Sequence, residues 1–129
     1  MKEHDFGYCY AIEFNNGTVK IGKSVNIIKR LSEHRSSARK FCVDIVDIIF
    51  TDVIPLHSDM ERELLTYATL LCEPNGPTEY FNGITIYDCM NIFNGAGVNF
   101  IRTTKIPTIG KESRSARGAW IETDSAAAT

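Results

Sequence analysis

Five side chains in the 129-residue sequence are of the types that hydrolysis of a phosphodiester requires: Tyr8 or Tyr10, Arg30, His34 and Glu61. That reaction needs a nucleophilic water, a cation near the non-bridging oxygens, and stabilisation of the leaving oxygen. Glu61 can hold a Mg²⁺ (or Mn²⁺) ion, a hard cation that takes few carboxylates and keeps several waters. Arg30 can grip a phosphate with two donors, and Lys20 or Lys23 can add charge. A phenol near pKa 10 becomes a useful base only where neighbouring cations lower it, and the nearby lysines are candidates for that task. His34, one turn after Arg30, has an ordinary pKa suited to relaying the proton.

Each of these residues also has a plain structural reading. Tyr8 and Tyr10 fit a strand packed on a core. Glu61 stands at the capping-box spacing from Ser58, a role that competes with metal binding, and Glu63 is then the reserve ligand. Arg30 and His34 can form an exposed helical pair of little energetic weight.

The elements that must position these groups are legible from pattern. Gly7 to Phe14 and Thr18 to Ile21 are rich in aromatic and β-branched residues and flank Asn15-Asn16-Gly17, a hairpin signal. Asn26 is a good helix cap, and Ile27, Ile28, Leu31 and Ala38 place an apolar stripe on a helix running to about Ala38. Phe41 to Val53 reads as a central strand ended by Pro55. Ser58 opens a second helix with Met60, Leu64, Tyr67 and Leu71 on one face, stopped by Pro74-Asn75-Gly76-Pro77. Thr78 to Phe81 reads as a short strand and Ile84 to Phe93 as a third helix closed by Asn94-Gly95. From about Thr103 large apolar residues are scarce apart from Trp120 and Ile121, which predicts a disordered tail over 103–129 behind one domain at 1–102.

Net charge is −2, yet the charges are segregated. Seven bases (Lys20, Lys23, Lys29, Arg30, Arg35, Arg39 and Lys40) face a single acid, Glu33, between positions 20 and 40. Between 41 and 100 one base, Arg62, faces nine acids. Such a basic patch can attract a polyanion, although a charge run alone can equally be a solvated helix face. The four cysteines lie far apart without a Cys-x-x-Cys pair and read as reduced, mostly buried thiols. No long apolar run or signal-like start occurs, so an intracellular protein without membrane insertion is expected.

In order and spacing these pieces resemble the GIY-YIG nuclease family. Gly7-Tyr8-Cys9-Tyr10 resembles its first motif and Lys20-Ile21-Gly22-Lys23-Ser24 its second. Arg30 and His34 match the family's helix pair, and Glu61 its metal-binding Glu. Thr78-Glu79-Tyr80-Phe81 is similar to the ending of a phage and large-DNA-virus branch. Lys20 replaces the second-motif Tyr, as in members of that branch, some of which only bind DNA, and Tyr8 stands where a motif Gly is usual. The resemblance implies an α/β (α+β) fold with a small three-stranded, mainly antiparallel sheet flanked by helices. It also implies Mg²⁺-dependent DNA cleavage by Tyr10, Arg30, His34 and Glu61, with Lys20, Lys23, Lys29, Arg35, Arg39 and Lys40 as DNA contacts. A DNA-binding module without catalysis, or a protein-interaction domain, is the alternative. Specificity would come from a homodimer or a partner protein. Asn82 is a further candidate at the site, whereas Tyr80 and Phe81 read as core aromatics because nothing basic surrounds them.

Overall fold

The computed structural model describes residues 6–72 and 79–107. Along the chain run β1 (Phe6–Phe14), β2 (Thr18–Ser24), α1 (Ile27–Arg39), β3 (Ile45–Thr51), β4 (Ile54–Pro55), α2 (His57–Leu71), β5 (Tyr80–Asn82), α3 (Ile86–Gly95) and β6 (Phe100–Thr103). Among the described residues the fold is α+β: a six-stranded antiparallel sheet in the order β5-β2-β1-β3-β6, with β4 paired to the start of β1, and three helices.

The expected three strands β1, β2 and β3 form the centre of a wider sheet. Edge strand β5 is added to β2, β6 to β3, and β4 pairs Phe6 with Pro55. Pro55 therefore does not simply end the central strand. Its missing N–H is tolerated because β4 is only two residues long. β6 includes Thr103, opposite Ile48, so the expected boundary at 102/103 falls inside a strand. Trp120 and the rest of the expected tail beyond 107 lie outside the described residues, as does the Pro74–Pro77 stop.

Side-chain alternation along the strands divides the core in two. Cys9, Ala11, Val19, Ile21 and Ile49 face α2 and α3 and pack with Leu64, Phe81, Ile86 and Phe93. Tyr10, Ile12, Phe14, Ile48 and Phe50 face α1 and pack with Ile27 and Leu31. Because both faces are covered, β3 shows a nearly continuous apolar run through Ile48-Ile49-Phe50. Asp47, buried on β3, is held by a bidentate pair from Arg102 of β6 at 3.0 and 2.6 Å, and Arg102 also donates to Tyr87 Oη of α3 at 3.1 Å.

The helix starts follow capping chemistry. Asn26 Oδ1 accepts from Lys29 N at 3.1 Å, as the sequence predicts for α1. α3 begins at Ile86, two residues later than expected, because Thr85 and Asp88 form a reciprocal capping box. Glu13 of β1 adds a carboxylate to that helix start by accepting from Ile86 N at 3.0 Å. α2 starts at His57 behind Leu56 in the left-handed region (φ 54°), without a side-chain cap. The expected Ser58–Glu61 capping box is therefore not formed, and Glu61 faces inward instead.

No disulfide joins the four cysteines: Cys9 and Cys89 are buried, Cys72 is half-buried and Cys42 is exposed. Burial pushes the Cys9 and Cys89 thiols up to about 12, which makes them packing groups, not nucleophiles. Among the described residues no helix is long and apolar enough to cross a membrane.

Candidate active site

Neighbouring strands β1 and β2, helix α1 and the start of β5 bring together Tyr10, Lys20, Arg30 and His34, while Glu61 lies on α2, which covers the other face of the sheet, and reaches Tyr10 only through its charge. Tyr10 is the partner of Gly22 across the hairpin and is 1% exposed. Its Oη lies 2.7 Å from His34 Nε2, and the two rings are tilted at a centroid distance of 5.6 Å. Ile27 and Leu31 anchor α1 to the sheet, and one turn beyond Leu31 the helix delivers His34 over β1. The two candidate tyrosines differ in this contact. Tyr8 points to the same face but is half-buried against the α1-side core, and it is Tyr10 that meets the histidine.

The protonation states differ from expectation. Burial raises the Tyr10 pKa; Arg30 opposes the rise, while Glu79, Tyr80 and Glu61 add to it. The lysines expected to lower it do not act on the phenol, and desolvation outweighs Arg30, so Tyr10 stays protonated at neutral pH. Burial, then the positive charges of Lys20 and Arg30, push His34 down to about 4. Its imidazole is neutral at pH 7, and the pair is a neutral hydrogen bond.

A stability signature follows. His34 binds a proton in the unfolded chain below about 6.5 but in the folded protein only near 4, so its contribution is present above pH 6.5 and lost as pH falls to about 4. Allowing for solvent screening of the partly exposed ring, wild-type protein should lose ~1–2 kcal/mol more over that window than His34→Gln. Denaturant melts at several pH values measure this difference, and parallel curves would remove the proposed desolvation of His34.

Lys20, also on β2, is 7% exposed and forms an ion pair with Glu79, with its ammonium 4.9 Å from the centre of the Tyr80 ring. Tyr80 therefore does have a basic neighbour, contrary to the sequence reading, while Phe81 is buried as expected. Arg30 is exposed, 3.6 Å from Glu33, and close enough to influence both Tyr10 and His34.

Glu61 is 8% exposed on α2 and has no hydrogen bond or ion pair within the described residues. Burial and then Glu79 raise its pKa, with Lys23, Lys20 and Arg62 acting the other way. Glu63 is exposed, so Glu61 is the inward carboxylate of α2. Among the described residues no three His, Cys, Asp or Glu side chains group to hold a metal ion.

The remaining basic residues are spread over the surface. Lys23, Lys29 and Lys40 are exposed, Arg35 is half-buried, and Arg39 is tied to Asp44 at 2.9 Å. Asn82, on the edge strand, accepts from Thr18 Oγ1 at 3.0 Å. Two contributors escape sequence reasoning. Glu79 is visible there only as part of a motif, and its link to Lys20 spans 59 positions. Gly22 has a close-approach role: a Cβ there would lie 2.5 Å from Tyr10 Oη.

A sheet hairpin carrying a tyrosine, a following helix carrying Arg and His, and a second helix carrying a buried Glu define a compact α+β domain of one recognisable kind. The family model of the T5orf172 domain, a phage T5-derived domain, matches residues 6–94, and the chain belongs to that family. Comparison with curated proteins and with solved structures finds no significant match.

Proposed function

We propose that this domain is a GIY-YIG-type endonuclease that hydrolyses DNA phosphodiester bonds with a divalent cation. The observation that carries the reading is the hydrogen-bonded Tyr10–His34 pair beside Arg30, with the buried carboxylate of Glu61, unpaired among the described residues, in the same electrostatic neighbourhood.

The residues fit one hard cation, Mg²⁺ or Mn²⁺, held by Glu61, since such ions take one or two protein carboxylates and complete their shell with water and substrate phosphate. When bound, the ion supplies positive charge to the phosphate oxygens and acidifies water. Arg30, exposed at the site, engages the non-bridging oxygens of the scissile phosphate. Tyr10 Oη accepts a proton from the attacking water as its own proton passes to Nε2 of neutral His34. The depressed histidine and elevated phenol keep both groups uncharged until substrate arrives. Lys20, paired with Glu79, adds fixed positive charge behind them.

Nicking of supercoiled plasmid by the purified protein with Mg²⁺ tests the reading. Conversion to open circles is expected, with loss in EDTA and in an Arg30→Ala, Glu61→Gln double variant. Persistent nicking by the double variant would overturn the assignment. A specific observation favours a second reading, a DNA-binding module without catalysis: Lys20 occupies the second-motif tyrosine position and is already paired with Glu79. Salt-sensitive DNA retention without nicking would select it.

In either case the cations of α1 and its C-cap Lys40 should set the salt dependence of binding. Replacing Lys29, Arg35 and Lys40 by Ala is expected to reduce the slope of log K against log salt by about one for each phosphate that is no longer neutralised. An unchanged slope in a binding titration would show that α1 does not meet the backbone.

A further inference from the structure

His34, the partner of Tyr10, lines a cleft whose other walls the proposed chemistry does not use. The cleft has a volume of about 390 Å³ and lies between the hairpin turn and the C-terminal half of α1, with His34 in its wall. Phe14, Ala38 and Val43 give it apolar surface, and the rings of Phe41 and Tyr80 complete the lining. Phe41 follows the helix and is 80% exposed, an unusual state for a ring that is also part of a concave wall.

We infer that this cleft seats one unpaired nucleobase of a DNA strand whose phosphate lies at the Tyr10–His34 pair. The inference rests on the DNA reading above and adds a substrate class to it. Aromatic and apolar walls suit the flat face of any base, because base–aromatic stacking is tolerant of sequence. Polar groups for the base edge are present as well. Ser37 Oγ has no partner within the described residues, and Asn16 uses its Oδ1 on Thr18 N at 3.0 Å, leaving its amide hydrogens for a ligand. Charge complementarity identifies the occupant as part of a polyanion: exposed Lys29 and Arg30 lie on α1, the helix that supplies His34, Ser37 and Ala38 to the wall, exposed Lys40 precedes Phe41 of the lining, and the acid Asp44 is paired with Arg39.

A base inside a duplex is stacked on both faces and enters such a cleft only after flipping out. The substrate class is therefore single-stranded, frayed or branched DNA in preference to intact duplex.

The test is fluorescence anisotropy with the full chain in EDTA, using a short single-stranded oligonucleotide, the same strand carrying abasic sites, and a duplex. Wild-type protein should bind the base-bearing strand about tenfold more tightly than the abasic one. Phe41→Ser should abolish that preference, with affinity for the abasic strand retained, and Ser37→Trp, which fills the cleft, should do the same. Equal affinity of wild-type protein for both strands overturns the inference, as does equal weakening of both by Phe41→Ser. Plasmid nicking is read in parallel. Base preference without nicking keeps the cleft and removes the nuclease reading, whereas nicking without base preference does the reverse.

Discussion

Glu61→Gln is expected to lower plasmid nicking by at least about 10³-fold while leaving most of the DNA binding and raising the melting temperature at pH 8. The activity loss follows from removing the one inward carboxylate of α2, since a catalytic cation is worth several kcal/mol of barrier and each 1.36 kcal/mol is tenfold in rate. The stability gain follows from the sign of the pKa shift. Burial and Glu79 raise the Glu61 pKa, so the folded state disfavours its ionised form, and this penalty is absent below the ordinary carboxyl range and complete above the raised value. A neutral, isosteric amide removes it. Opposite movements of activity and melting temperature would mark Glu61 as a residue placed for function at some expense of stability. A Glu61→Gln protein that nicks within tenfold of wild type would remove Glu61 from the site.

Gly22→Ala should have the second large effect. A Cβ at Gly22 would fall 2.5 Å from Tyr10 Oη and 2.7 Å from its Cζ, distances no pair of such atoms occupies. Tyr10 is enclosed in the α1-side core and has little freedom to yield, so overpacking should cost ~1–3 kcal/mol. The ring must then move away from His34, and a displacement of about 1 Å is enough to reduce catalysis ~10²-fold. Tyr10→Phe offers the contrast: the fold persists, His34 Nε2 loses its partner at ~1 kcal/mol, and nicking is lost. Because the tightest contact is with the hydroxyl, adding Tyr10→Phe to Gly22→Ala should recover part of the lost stability. Melts of the single and double variants check this, and simple additivity would mean that the strand backbone, not the ring, absorbs the methyl.

Local signals explain which elements were legible. Asn15-Asn16-Gly17 marks the hairpin, and Gly17 has the positive φ of 87° that such a turn requires. Asn26 caps α1, and Arg30 and His34 follow at helical spacing, so their place on the helix is legible, whereas the contact of His34 with Tyr10, 24 positions away, depends on how α1 packs on the sheet. Of the added strands, β5 is legible in Thr78–Phe81, but β4 and β6 are not. β4 has two residues and β6 four, too short for a period to emerge, and both exist because neighbours in the sheet offer free edges. The start of α3 was displaced because Ile84 continues the apolar pattern, while the Thr85–Asp88 box fixes the actual entry. Protonation states were also beyond a linear reading: Tyr10 is desolvated only because α1 covers β1, and Glu61 meets Glu79 only through the sheet. Gly22, a motif glycine in sequence, acquires its reason from the ring lying across it.

The unequal dressing of the sheet has a dynamic consequence. α1 inserts two buried residues, Ile27 and Leu31, whereas α3 alone inserts four, Ile86, Cys89, Ile92 and Phe93, and shares its face with α2. Local opening free energy scales with such anchoring, so α1 is expected to open before the sheet and the α2–α3 face do. The helix that carries Arg30 and His34 would then uncover the tyrosine while the rest of the fold persists. A nucleic-acid strand bridging α1 and the hairpin would act as a latch, slowing amide exchange in α1 far more than in the opposite layer.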